Sequence, residues 1–192
     1  MTLYAIQSQG ATYDCFAPDI NQHHVMNHLT GQEMPETRNV LVESARIARG
    51  KIKSLKDLDI RMFDALIFPG GFGVAKNLCN FAFAGDDCIV NPEVSTIVRD
   101  AVSLRKPIGA LCISPVILAK VLGDVQLTIG QDSGTAAAVD KMGARHKKTT
   151  HGEVVIDEKM KIFTTPCYML DANIEQIAEG ARNIVKEMLS RM

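Results

Sequence analysis

The stretch KPIGALCISP, residues 106–115, decides the fold. Its apolar run from Ile108 to Leu111 is typical of a buried strand and ends abruptly at Cys112. Pro115 then opens a helical pattern, and proline suits the first turn of a helix because its missing N–H is not needed there. A strand that runs directly into a helix through a nucleophilic residue is a nucleophile elbow, here with cysteine where serine is more common.

Cys112 is the first candidate functional residue. The reactive form of cysteine is the thiolate, and a helix N-terminus stabilises that anion through its free N–H groups and its dipole. The alternative is a small buried thiol that only packs, since free cysteine is among the most buried residue types. The position between a strand and a helix favours the reactive thiol.

Composition and charge limit the class of protein. The chain has 192 residues with 46% hydrophobic and 22% charged, which predicts one globular domain over residues 1–192. The net charge of −1 argues against a general nucleic-acid binder. The five cysteines show no C-x-x-C spacing, which favours a reducing compartment over a disulfide framework or a zinc site. There is neither a secretory signal nor an apolar run near the roughly 20 residues that span a bilayer.

Strand and helix patterns alternate along the chain. The predicted strands are Thr12–Ala17, Phe63–Phe68, Ile108–Leu111, Val125–Ile129, Val154–Ile156 and Ile162–Thr164, the last two forming a hairpin. The predicted helices are Met1–Gln9, Glu36–Arg49, Pro92–Leu104, 115–122, Gly134–Met142 and 174–189. The segment His23–Met34 is ambiguous, with Val25–Leu29 as an optional strand. This alternation predicts a mostly parallel sheet covered on both faces, with ligands at the carboxyl ends of the strands.

A glycine-rich loop, Pro69–Gly73, follows the predicted strand that ends at Phe68. It should meet Cys112 at the carboxyl edge of the sheet, where Gly70 and Gly71, together with the N–H of Ile113, would be oxyanion donors. Donors of that type stabilise a transition state by about 2.7–4 kcal/mol. Taken alone, the glycine pair is a weak signal, because an ordinary strand-to-loop turn also explains it. Lys76 and Asn77 come next, either as substrate-binding residues or as a solvated helix end.

No residue is marked as the base that a thiol nucleophile needs. The five histidines follow no triad pattern; they are His23, His24, His28, His146 and His151. His146 lies in a polar, lysine-rich stretch and is better explained as solvated, whereas His28 and His151 stay candidates. Cys167 ends a predicted strand and is either a packing residue, which we favour, or a thiol that resolves an oxidised Cys112.

Six segments together resemble one family, and the match runs along the whole chain. They are residues 16–19 (FAPD), 27–31 (NHLTG), 36–41 (ETRNVL), 69–78 (PGGFGVAKNL), 112–115 (CISP) and 164–166 (TTP). The chain resembles the ElbB branch, also called enhancing lycopene biosynthesis protein, of the PfpI-like, class I glutamine amidotransferase-like superfamily.

The resemblance implies a flavodoxin-like three-layer α/β sandwich, a reactive elbow cysteine and a homodimer. Family members look like glyoxalase-type lyases that convert glyoxal or methylglyoxal to the hydroxy acid without glutathione. No cofactor or metal is implied, and the partner is a small aldehyde substrate. The family name also implies a link to isoprenoid synthesis. True amidotransferases carry His-x-Glu where this chain has Pro166-Cys167-Tyr168-Met169, so glutamine hydrolysis is not expected.

The chain departs from the family at its beginning. Family members start with a further strand and a glycine-rich loop that carries a carboxylate, the partner expected for the elbow thiol. That strand would lie between Thr12–Ala17 and Phe63–Phe68 in a sheet of order 2-1-3-4-5. We therefore expect that this chain is N-terminally truncated relative to the family and that its general base is missing.

Two hypotheses of function follow. The first is a cytoplasmic enzyme of the glyoxalase type that uses Cys112, or a mitochondrial one if a removed N-terminal segment carried targeting information. The alternative is a protein without enzymatic activity, in which Cys112 senses oxidants or captures a ligand. Catalytic turnover, as opposed to stoichiometric modification, distinguishes the two.

Overall fold

A computed structural model describes all residues from Met1 to Met192. Eight short strands alternate with seven helices. The strands are β1 (Cys15–Ala17), β2 (Ile52–Ser54), β3 (Leu66–Phe68), β4 (Ile108–Leu111), β5 (Gln126–Leu127), β6 (Arg145–His146), β7 (Val155–Asp157) and β8 (Ile162–Thr165). The helices are α1 (Thr2–Ser8), α2 (Val40–Ile47), α3 (Phe81–Ala84), α4 (Pro92–Ser103), α5 (Pro115–Leu122), α6 (Ser133–Lys141) and α7 (Ile174–Leu189).

The strands form one four-stranded sheet and two separate pairs. The large sheet has the order β3-β4-β8-β7, in which only β7 is antiparallel to its neighbour. The pairs β1-β2 and β5-β6 are both parallel. The prediction of a mostly parallel sheet is confirmed, and so is the hairpin of β7 and β8.

Strand β4 lies at the centre of three layers. Ile108 and Ala110 pack into an apolar cluster with helices α4 and α5 on one face, and Leu111 packs into a second cluster with α1 and α7 on the other. All four residues of β4 are buried, which explains the unbroken apolar run in the sequence. Burying a side chain such as that of Ile108 contributes about 1.5–3 kcal/mol.

The packing of β4 is especially close at Gly109. A Cβ added to this residue would lie only 2.6 Å from Met188 Sδ on α7. Because glycine has no side chain, α7 approaches the sheet closely at this point. The strand that leads into the elbow is therefore tightly packed on both faces.

Strands β1 and β3 each have only one strand partner, β2 and β4 respectively. Residues of both strands line one large cavity of about 1620 Å³, with α1 and α7 contributing apolar side chains to it. The further strand expected from the family resemblance would lie between β1 and β3. That further strand stays a prediction. The cavity is formed by the residues of this chain itself.

The segment His23–Met34 is a loop, so the optional strand Val25–Leu29 is not formed. The side chain of Asn27 accepts hydrogen bonds from the N–H groups of Leu29 and Thr30, at 2.9 and 3.3 Å. Such a side-chain turn competes with extended backbone.

No helix of the structure combines the length and the apolar character that crossing a membrane requires.

Candidate active site

Cys112 occupies the elbow between β4 and α5 with a left-handed backbone, φ = 61°. Its N–H donates a 3.0 Å hydrogen bond to the Thr165 carbonyl at the end of β8. A residue other than glycine in this conformation costs roughly 1–2 kcal/mol, and such strain is concentrated at functional sites. The thiol is half-buried and borders the large cavity. The elbow inferred from the sequence is therefore present.

The glycine loop packs directly against this elbow. A Cβ added to Gly70 would lie 2.7 Å from the Leu111 carbonyl oxygen and 2.8 Å from Cys112 Cβ. Gly70 also has φ = 94°, a conformation that disfavours any other residue. Both the contact and the backbone conformation require glycine here, so the loop and the thiol form one unit.

Two backbone donors beside the thiol have no acceptor within the protein. The N–H groups of Gly71 and Ile113 take part in no intramolecular hydrogen bond, and both residues line the same cavity as Cys112. Unpaired N–H groups are costly unless water or a ligand satisfies them. Their role as oxyanion donors stays a prediction, and their availability supports it.

Lys76 and Asn77 lie on a π-helical turn, Val74–Leu78, and differ in position. Asn77 lines the cavity, and its side-chain oxygen accepts a 2.9 Å hydrogen bond from the His23 N–H. Lys76 is not part of the lining; its Nζ lies 5.3 Å from the centre of the Phe72 ring. Asn77 is thus the better placed of the two to contact a ligand.

No histidine lines the cavity that contains Cys112, so neither His28 nor His151 is placed as its base. The two carboxylates of the lining are Asp14 and Asp64. Asp64 precedes β3 and so lies at the end of the sheet opposite Cys112, because β3 and β4 are parallel. Asp14 pairs with Lys53 at 3.2 Å. The elbow thiol has no basic side chain beside it.

Cys167 lies just beyond β8, at the start of the 3-10 turn Cys167–Met169. It is 9% exposed, belongs to the apolar cluster under α7 and also lines the cavity. Burial raises the pKa of the Cys167 thiol to about 12, and a negative charge on the neighbouring Cys112 sulfur adds to the rise. Cys167 therefore packs, as the sequence favoured, but it packs next to the elbow.

Sequence reasoning missed three neighbours of the site. The Thr165 carbonyl accepts the hydrogen bond of the Cys112 N–H. Every residue type has a backbone carbonyl, so the sequence does not reveal this acceptor. The rings of Phe72 and Tyr168 line the cavity while 77% and 60% exposed, respectively. An aromatic residue inside a glycine loop and another directly after Cys167 were the available signals.

Comparison with known proteins identifies relatives of the chain, although no protein-family model matches it. It is 45% identical over 190 residues to the human glutamine amidotransferase-like class 1 domain-containing protein 3, mitochondrial, covering 94% of this chain and 71% of that protein. The chain belongs to the class 1 glutamine amidotransferase-like family. The resemblance inferred from the six sequence segments is thereby confirmed.

Solved structures support the same assignment. The isoprenoid biosynthesis protein with amidotransferase-like domain from Ehrlichia chaffeensis has a TM-score of 0.92 and 34% identity, covering 100% of this chain and 89% of that one. A ThiJ/PfpI domain protein from Brachyspira murdochii shares the fold, with a TM-score of 0.59 and 18% identity over 100% of this chain and 87% of that one. The predicted flavodoxin-like fold class is confirmed.

Gly70→Ala is expected to destabilise the fold by about 2–4 kcal/mol, because the new Cβ meets the Leu111 carbonyl and Cys112 while φ is unfavourable. Gly73→Ala is the matched control, since its Cβ would meet only Asn77 Nδ2, at 3.9 Å. Urea unfolding and the alkylation rate of Cys112 measure the two effects. If both variants have the same free energy of unfolding, Gly70 does not make the close contact with the elbow described above.

Proposed function

We propose that this protein is an enzyme of the glyoxalase type, which converts glyoxal or methylglyoxal to the corresponding hydroxy acid without glutathione. One observation carries the proposal: a half-exposed cysteine on a strained elbow lies at a cavity that also receives two unpaired backbone N–H groups. This combination suits a nucleophile that adds to a carbonyl carbon and needs donors for the oxygen anion that forms.

The first step is addition. The Cys112 sulfur forms a bond to an aldehyde carbon, the carbonyl π electrons move to the oxygen, and the product is a thiohemiacetal. The N–H groups of Gly71 and Ile113 hold the developing oxyanion. No metal is needed for this step, because preorganised donors stabilise the charge directly.

The second step moves a proton between carbons. A base removes the hydrogen from the thiohemiacetal carbon, and the neighbouring carbonyl carbon receives a proton as its oxygen becomes a hydroxyl. The product is a thioester of the hydroxy acid. Water then attacks this thioester, the C–S bond breaks, and the Cys112 thiolate is released with the acid.

The base of the second step is not among the residues around Cys112. The cavity has no histidine, and Asp64 is at the far end of the sheet. We propose that in this chain the proton passes through water or a small base from solution. General acid–base catalysis contributes typically 10²–10⁴-fold, so turnover by this chain should be slow.

The names of the relatives extend the proposal. The human relative is named as mitochondrial, which favours the mitochondrion over the cytoplasm for this protein. The Ehrlichia chaffeensis protein is named for isoprenoid biosynthesis. We propose on that basis that the aldehyde chemistry serves a cell compartment or pathway in which isoprenoids are made.

Cys112→Ala should abolish glyoxal turnover, because the variant lacks the atom that forms the covalent adduct. Cys88→Ala is the control, since Cys88 is buried away from the cavity lining and should leave turnover unchanged. Release of glycolate, followed by chromatography, is the measurement. Equal glycolate release by Cys112→Ala would refute the mechanism, and one modification per chain without release would favour the oxidant-sensing or ligand-capturing alternative.

Acetate or formate should accelerate turnover, because a small carboxylate that enters the cavity can supply the missing base. The rate of glycolate release is expected to rise with carboxylate concentration at constant pH and ionic strength, and Cys112→Ala should show no such rise. Chloride at the same ionic strength is the control. If the rate does not depend on carboxylate concentration, the claim that this chain lacks a base for the proton transfer between carbons is contradicted.

A further inference from the structure

Cys112 and Cys167 follow two strands that lie side by side. Leu111 pairs with Thr165 in the parallel ladder of β4 and β8, and the Cys112 N–H continues that ladder to the Thr165 carbonyl. Neighbouring strands are about 4.8 Å apart, so Cys112 lies opposite the end of β8, and Cys167 follows two residues after Thr165. The two cysteines therefore leave the sheet at adjacent positions on the same edge.

The backbone holds both cysteines in the same unusual conformation. Cys112 has φ = 61° and Cys167 has φ = 45°. The three other residues with positive φ that are not glycine are arginines and a lysine in turns: Arg49, Arg105 and Lys161. Of the five, only the two cysteines pack in or against the apolar cluster under α7, and backbone strain of this kind is concentrated at functional sites.

The surroundings give the two thiols different accessibilities. Cys112 is half-buried and borders the cavity, whereas Cys167 is 9% exposed and is backed by α7. A Cβ added to Gly180 of that helix would lie 3.8 Å from Cys167 Sγ. Since Cys167 keeps its proton at neutral pH, a small oxidant in the cavity would meet Cys112 first.

The other three cysteines cannot replace Cys167 in this pair. Cys79 belongs to the larger apolar cluster, on the opposite face of the sheet, and Cys88 is its buried neighbour. Cys15 is on β1, which does not pair with the large sheet. Cys167 is the thiol that shares both an apolar cluster and a pair of adjoining strand ends with Cys112.

We propose that Cys112 and Cys167 form a two-cysteine redox site in which Cys167 resolves an oxidised Cys112. The co-reactant is a hydroperoxide. The Cys112 thiolate attacks its terminal oxygen, the O–O bond breaks, and Cys112 becomes a sulfenic acid as the peroxide is reduced. Cys167 then gives its proton to the leaving hydroxyl as its sulfur attacks the Cys112 sulfur and the S–O bond breaks, so that water leaves. Because burial keeps Cys167 protonated, this step is slower than oxidation of Cys112.

The disulfide has two consequences for the site. It removes the free thiol, so the aldehyde reaction stops until a thiol reductant restores both cysteines. It also protects Cys112 from further oxidation to the sulfinic and sulfonic acids, which dithiol reductants do not reverse. The inference uses the same reactive thiol as the proposed function but does not depend on the aldehyde reaction.

The test is a disulfide map of the full chain after treatment with an equimolar amount of hydrogen peroxide at neutral pH. Alkylation of remaining thiols and mass spectrometry of unreduced peptides should show a Cys112–Cys167 crosslink. Dithiothreitol should then restore alkylation of Cys112. A map with oxygen added at Cys112 and no crosslink, or with a Cys79–Cys88 crosslink alone, would overturn the proposal.

Matched variants separate the resolving role from a packing role. Cys167→Ala and Cys167→Ser should accumulate sulfinic acid at Cys112 that dithiothreitol does not reverse, with several-fold more labelling by a sulfenic-acid trap. Cys88→Ala should behave as the unmodified chain does. Circular dichroism checks that each variant is folded. If a Cys167 variant unfolds, the disulfide map of the wild-type chain alone tests the proposal. Activity is not the readout, so this result and that of the glyoxal assay are independent.

Discussion

The hydrogen bond from the Cys112 N–H to the Thr165 carbonyl joins β4 to β8 at the point where β4 turns into α5. It fixes the backbone of a cysteine in a conformation that costs roughly 1–2 kcal/mol, a cost that the buried strands on either side must offset. Gly70 closes the elbow from the other side, because its missing Cβ leaves room for Cys112 Cβ. The position of the thiol is therefore determined by backbone contacts rather than by its own side chain.

The sequence predicted the central elements because their signals are local. A four-residue apolar run, a cysteine and a proline are enough to indicate the elbow, and parallel strands bring the glycine loop to the same edge. Strands β2 and β6 were not predicted, because their sequences, IKS and RH, are short and largely polar and contain no apolar run. The loop at His23–Met34 depends on the Asn27 side chain, which the apolar pattern of the segment does not reveal.

The site was predicted only in part. Gly70, Gly71, Ile113 and Asn77 do line the cavity with Cys112, whereas Lys76 does not. Histidine candidates could not be decided from the sequence, because only the folded chain shows that none reaches the cavity. Cys167 illustrates a different limit: the sequence offered packing and reactivity as alternatives, and the structure places this residue in the core and beside Cys112 at once. A homodimer stays a prediction.

The central claim is that Cys112 adds to a carbonyl carbon while the N–H groups of Gly71 and Ile113 hold the oxygen. A crystal structure of the chain soaked with acetaldehyde, which forms the adduct but has no second carbonyl to react further, tests it directly. The account predicts a bond from Cys112 Sγ to carbon, with the oxygen about 2.7–3.1 Å from both nitrogens. An unmodified Cys112, or an adduct whose oxygen contacts neither N–H group, would contradict it.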